Sequence, residues 1–159
     1  MRTNRLLMCA VTVLAAVLAF SLVALGADNW LGTWKLNVAK SKYSPGPAPK
    51  SQTLKQEAWE GGIKLTTDGI DPEGKPTHGE YAAKFDGKDY PWKGNVNADM
   101  ISLKRIDDNT YESTWKKGGK VTITTKTVVS RDGKNRTTTQ TGKDAQGRTV
   151  NNTTVYDKQ

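Results

Sequence analysis

The sequence predicts an all-β chain: an antiparallel up-and-down meander of about nine or ten strands, closing into a small barrel and preceded by an N-terminal signal helix. Three observations carry this. Turn formers recur, mostly 11 to 14 residues apart, at Gly61-Gly62, Pro72 to Lys75, Asp86 to Lys88, Asp107 to Asn109, Gly118-Gly119, Asp132 to Lys134 and Asp144 to Gly147. Glycine at such spacing supplies the positive φ that hairpin turns need. Between the turns apolar and polar residues alternate, as in Tyr81, Ala83, Phe85 and in Val121, Ile123, Thr125, Thr127, Val129, which is the period of a strand with one face buried. After residue 27, no segment combines helical periodicity with caps over three turns, so a βαβ arrangement is not expected.

The elements follow in chain order. Arg2 and Arg5 precede a run from Leu6 to Ala27 that holds no charged residue and ends in the small residues Gly26 and Ala27. That is the layout of a secretory signal peptide over residues 1–27, with Asp28 as the expected mature N-terminus. The 22 uncharged residues are also long enough to anchor the chain in a bilayer about 30 Å thick if cleavage does not occur. Both readings place residues 28–159 outside the cytoplasm, secreted or periplasmic, because the arginines stay inside.

Residues 28–159 fit one domain with one core. The single cysteine, Cys9, lies in the signal segment, so the domain has no disulfide and its stability rests on sheet and core. Removing Arg2 and Arg5 from the 24 basic residues leaves 22 against 16 acidic ones. The basic residues are scattered, never more than two in a row, which keeps strand faces soluble and gives no nucleic-acid signature. Contact with a membrane is expected only through the signal segment.

Nine strands are expected near residues 33–39, 51–60, 63–70, 77–85, 99–106, 110–117, 120–131, 135–142 and 148–157, with a short tenth around Tyr90 to Trp92. A meander leaves two edges, and barrel closure removes both, with an open sheet or sandwich as the alternative. Residues 43–50 hold three prolines and form a strap between the first two strands, either an ordinary linker or a stiff cover over a barrel mouth. Residues 135–142 have strand propensity but no large apolar side chain. That strand is either an edge facing water on both sides or the polar inner wall of a partly hydrated barrel.

The first strand begins Gly32-Thr33-Trp34-Lys35-Leu36 and the last ends Val155-Tyr156-Asp157-Lys158. A Gly-x-Trp on the first strand of a meander with this closing strand resembles the calycin group of lipocalins and fatty-acid-binding proteins. The resemblance implies a ligand-binding barrel, with Gly32 and Trp34 structural and Trp34 packed across the closed end. The segments Phe85 to Pro91 and Lys116 to Val121 resemble exported bacterial proteins of the same layout, a likeness that implies no activity. Two departures bear on ligand choice. The proline strap stands where fatty-acid-binding proteins carry a helical lid, and Thr154 stands where they carry the carboxylate-holding arginine two residues before the tyrosine, here Tyr156. A neutral head group is therefore expected to bind better than a carboxylate.

His78 is the only histidine, so neither a histidine-based metal site nor a catalytic triad can be assembled. Asp68, Asp71 and Glu73 lack the spacing of a calcium loop and read as an acidic turn. No cofactor is expected. The leading expectation is a non-catalytic binding protein for a small apolar or aromatic molecule. Its ligand-binding residues are Trp59, Tyr81, Phe85, Trp92, Tyr111, Trp115 and Tyr156, because such pockets combine aromatic walls with a few polar groups. The alternatives are an envelope interaction module using a basic outer face for a polyanion or protein partner and, third, an enzyme of unrecognised type.

Overall fold

The structure is a computed structural model that describes residues 29–159, and the signal segment expected over residues 1–27 lies outside them. Ten antiparallel strands form one closed barrel in meander order. They are β1 Gly32–Leu36, β2 Ser51–Trp59, β3 Gly62–Ile70, β4 Pro76–Lys84, β5 Tyr90–Lys93, β6 Met100–Arg105, β7 Thr110–Lys117, β8 Lys120–Val129, β9 Asn135–Lys143 and β10 Thr149–Lys158. Closure is made by β1 against β10, where Trp34, Lys35 and Leu36 face Lys158, Asp157 and Tyr156. The short β5 is a true strand, pairing Tyr81 with Trp92 on one side and Tyr90 with Ile101 on the other.

Turn chemistry sets the register. Gly118 and Gly119 both have positive φ, 56° and 77°, as a two-residue turn matching the twist of β7 and β8 requires. Glycine is also needed at Gly142, where an added Cβ would lie 2.1 Å from the Thr122 carbonyl oxygen. Along β8 the buried Ile123, Thr125, Thr127 and Val129 alternate with the exposed Thr124, Lys126 and Val128. β9 lies inside the sheet, bonded to both β8 and β10, and turns Arg136 and Thr138 inward. The polar-wall reading of residues 135–142 therefore holds, and the edge reading does not.

In a meander the connections alternate between the two ends of the barrel. Residues 60–61, 85–89, 106–109 and 130–134 cross one end, together with the entry to β1. Trp30 and Trp34 seal it. Both are fully buried, and the Trp34 indole donates to the Trp30 carbonyl oxygen at 2.9 Å. Trp30 meets Phe85 and Tyr111 with ring centroids 5.6 Å apart in each case. Arg105 lies over the Trp30 ring at 4.9 Å and Lys158 over Trp34 at 5.1 Å, so aliphatic stems and charged heads cover the plug from outside.

The strap crosses the other end, as do residues 71–75, 94–99, 118–119 and 144–148. It is more than a linker. β1 ends at Leu36, which leaves the first half of β10 without a neighbour on that side, and the strap supplies one. Lys42 and Thr153 exchange backbone hydrogen bonds of 2.7 and 2.9 Å, and the Asn151 amide donates to the Ser44 carbonyl oxygen at 2.7 Å. A single 3₁₀ turn, Val38–Lys40, capped by Asn37, redirects the chain from β1 into this path.

Candidate functional site

Above the aromatic plug the inward side chains become smaller and more polar, and they leave a cavity of about 90 Å³. Its wall divides by chemistry. β4, β5 and β7 contribute Tyr81, Trp92 and Trp115, stacked edge to face with centroids 5.1 and 4.8 Å apart. Leu54, Leu65 and Ile101 fill between them. The facing wall, from β7 to β10, is hydroxyl-rich: Ser113, Thr125, Thr127, Thr138 and Thr154. These residues satisfy one another, with Ser113 to Thr125 at 2.7 Å and Thr127 to Thr138 at 2.9 Å, and the Trp115 indole donates to Ser113 at 3.0 Å.

Arg136 sits at the base of the cavity, only 5% exposed. One terminal nitrogen donates to Gln56 Oε1 at 2.9 Å and the other to the Tyr111 hydroxyl at 2.8 Å. The guanidinium lies 5.8 Å from the Tyr156 ring centre, Arg136 and Tyr156 being register partners on β9 and β10. Among the described residues no carboxylate lines the cavity. Arg136 is therefore a buried cation held by neutral groups, which costs several kcal/mol relative to a paired one.

The polar atoms left over are all donors. Arg136 Nε, Gln56 Nε2 and Trp92 Nε1 are buried with no hydrogen-bond partner. Because Gln56 turns its carbonyl oxygen to the arginine, its amide nitrogen is committed to being the free end. Around Arg136 the interior thus presents positive charge and spare N–H groups, a complement to an acceptor or an anion.

Five of the seven residues expected to contact ligand line this one cavity: Tyr81, Trp92, Tyr111, Trp115 and Tyr156. Two do not. Phe85 packs in the plug against Trp30 and Tyr111. Trp59, at the end of β2, is partly exposed, with the Tyr90 ring 6.3 Å away and Lys84 5.8 Å from its own ring. Gly32 and Trp34 sit at the sealed end, Gly32 with φ of 121° against the Lys158 side chain. His78 is on the exposed face of the β3–β4 hairpin, its Nδ1 2.7 Å from Asp68. Among the described residues no three His, Cys, Asp or Glu side chains converge as metal ligands would.

The expectation that this interior lacks a cation is corrected by Arg136. Thr154, two residues before Tyr156, carries no charge, but the neighbouring strand brings the Arg136 guanidinium to 5.8 Å from the Tyr156 ring centre. The signal was present in the alternation: Arg136 shares the phase of Thr138 and Gln140, so once β9 turns one face inward the arginine must be inside.

Burial shapes the tyrosines too. The Tyr156 hydroxyl, which donates to Gln52, is pushed up to about 12, mainly by desolvation and in part offset by Arg136. Burial also raises Tyr81 and the strap residue Tyr43. The native state then keeps protons that the unfolded chain releases near pH 10. This stabilisation is complete below pH 10 and is lost as pH climbs from 10 through the native values. Denaturant titrations are expected to show stability falling above pH 10 by about 1.4 kcal/mol per pH unit for each of the fully buried Tyr81 and Tyr156. Tyr156→Phe should remove one tyrosine's share between pH 10 and about 12, and an unchanged slope would contradict the assignment.

The chain matches no protein-family model and no curated protein. Comparison with solved structures finds zebrafish ileal bile acid-binding protein complexed with cholic acid, 13% identical, covering 82% of this chain and 99% of that one, with a TM-score of 0.48. The class of the fold rests on the chain itself. A closed meander of ten antiparallel strands, sealed by a first-strand Gly-x-Trp, is the architecture that the calycin resemblance implied.

Proposed function

We propose that the barrel binds a small organic molecule, without transforming it, through an acceptor-bearing head group that meets Arg136. One observation carries this reading: a nearly fully buried arginine with no carboxylate beside it, its Nε unpartnered, at the base of a cavity with aromatic walls. An anionic or strongly polarised oxygen placed there would accept charge-assisted hydrogen bonds in a dry setting. The volume sets the scale. About 90 Å³ matches some three water molecules and is well below the roughly 300 Å³ at which drug-sized pockets begin. The head group fits, and the remainder of the ligand must leave toward the half-buried Gln52, Thr67, Trp115 and Gln140 at the strap end.

Export is part of the same reading, supported by the charge-free run from Leu6 to Ala27 behind Arg2 and Arg5. The test pairs benzoate with the isosteric neutral benzamide, followed by tryptophan fluorescence, since Trp92 and Trp115 line the cavity. Benzoate is expected to quench saturably and to bind about 10-fold or more tightly than benzamide, the worth of one hydrogen bond to a charged group. Equal affinities, or no saturable quenching by either, would overturn the proposal.

A further inference from the structure

Three connections at the strap end form one rim sector, tied together by hydrogen bonds. Residues 94–99 reach the β7–β8 hairpin through Thr122 Oγ1 to the Asn97 carbonyl oxygen at 2.8 Å and the Gly118 amide to Asp99 at 2.9 Å. They reach the β9–β10 turn through the Ala145 amide to Asn97 Oδ1 at 3.0 Å. Two apolar side chains protrude from this sector: Val96 is 71% exposed and Val121 58%. Around them stand six basic residues, of which three are paired, Lys93 with Glu80, Lys116 with Asp89 and Arg148 with the buried Asp144, while Lys117, Lys120 and Lys143 carry the uncompensated charge.

Lys117 and Lys120 face each other directly across the two-glycine turn. Like charges directly opposite on an antiparallel pair are destabilising, and fold stability gives no reason for them. Among the described residues neither they nor Lys143 have an ion-pair partner. The remaining hairpin at this end, between β3 and β4, is mixed in charge, with Asp68, Asp71 and Glu73 standing beside Lys75 and the Lys50 ammonium near Gly74.

We infer that this rim sector docks the barrel on an anionic lipid bilayer, with Lys117, Lys120 and Lys143 among the headgroups and Val96 and Val121 at the acyl boundary. A protein partner fits less well. A stable protein interface covers about 800 Å² per side around a packed apolar centre, and two valines on separate loop tips among lysines supply no such centre. Isolated apolar tips ringed by lysine are what an interfacial anchor needs. The inference is independent of what the interior binds.

The experiment uses the protein in the form its host accumulates, with sedimentation on vesicles of pure phosphatidylcholine or with 30% phosphatidylglycerol, at low salt. Binding is expected only to the anionic vesicles. K117E/K120E/K143E should reduce partition by about 100-fold, near five-fold per lysine removed, while K88E, in the connection at the sealed end, should leave it unchanged. K120E alone separates docking from folding. It turns a repulsive cross-strand pair into an attractive one, so the melting temperature should rise while vesicle binding falls. Equal binding to both vesicle types, no binding to either, an equal loss in K88E, or K120E binding like wild type would each overturn the inference.

Discussion

Trp34→Ala is expected to cost about 3–5 kcal/mol, the range for truncating a fully buried tryptophan, and to lower the melting temperature by about 12–20 °C. The indole has no exposed surface, bonds to the Trp30 carbonyl oxygen, and lies beneath Lys158 at the seam where β1 meets β10. Its removal would leave a void that neither strand can collapse into, because Trp34 pairs in register with Leu54 on one side and Lys158 on the other. Trp34→Phe keeps most of the apolar contact and loses the hydrogen bond, so a smaller cost is expected, with interior ligand binding intact. Thermal unfolding followed by circular dichroism measures both. A Trp34→Ala protein that melts with the wild type would show that the sealed end does not hold the barrel together.

How far the molecule could be read in advance depended on which physical signal each part carries. The strands were legible because hairpin turns demand glycine or Asx residues at fixed places and half-buried strands demand alternation. The expected bounds differ from the observed ones by no more than about three residues. Alternation also gave the buried face correctly for Tyr81, Ala83, Ile123, Thr125, Thr127 and Val129, but not for Val121, which is 58% exposed next to the register shift opposite Trp115 and Lys116. It says nothing about depth along the barrel axis. Phe85 has the inward phase of Tyr81 and Ala83 and lies against the plug, because two more steps along the chain carry it past the cavity floor. Trp59 has the outward phase of Thr53, Lys55 and Glu57 on β2, so alternation itself places its ring outside.

The strap's pairing with β10 was invisible for a different reason. Lys42 and Thr153 are far apart in sequence and meet only because β1 stops short of the length of β10. Arg136 was overlooked because a lone arginine among threonines reads as a solvated strand. Only the knowledge that β9 has neighbours on both sides turns that arginine into a buried charge. The cavity volume lies beyond any pattern in the sequence, since it is the difference between large packed volumes.

Replacing the polar core around the cavity floor with apolar residues of similar shape, in Arg136→Met/Gln56→Leu/Tyr111→Phe, should stabilise the fold and abolish recognition of acids. Each of the three residues is buried, and together they leave Arg136 Nε and Gln56 Nε2 unpartnered. Buried charged networks replaced by packed apolar side chains have gained about 1–4 kcal/mol in comparable cases. All three must change together. Arg136→Met alone would strand the Gln56 carbonyl and the Tyr111 hydroxyl, at about 1–3 kcal/mol for each group left unsatisfied. The phenyl ring at position 111 keeps its edge contacts with Trp30 and Phe85, so the plug is preserved. Urea titration should give a higher midpoint than wild type, and benzoate affinity should fall about 10- to 100-fold, the worth of a charge-assisted hydrogen bond, while benzamide is affected far less. Stability maintained at the expense of binding is the signature of a group kept for its ligand. If the triple variant is instead less stable, the guanidinium is a structural strut between β2, β7 and β9. Should it be more stable and still bind benzoate as wild type does, the head group lies elsewhere in the cavity, and the donors at Trp92 become the next place to look.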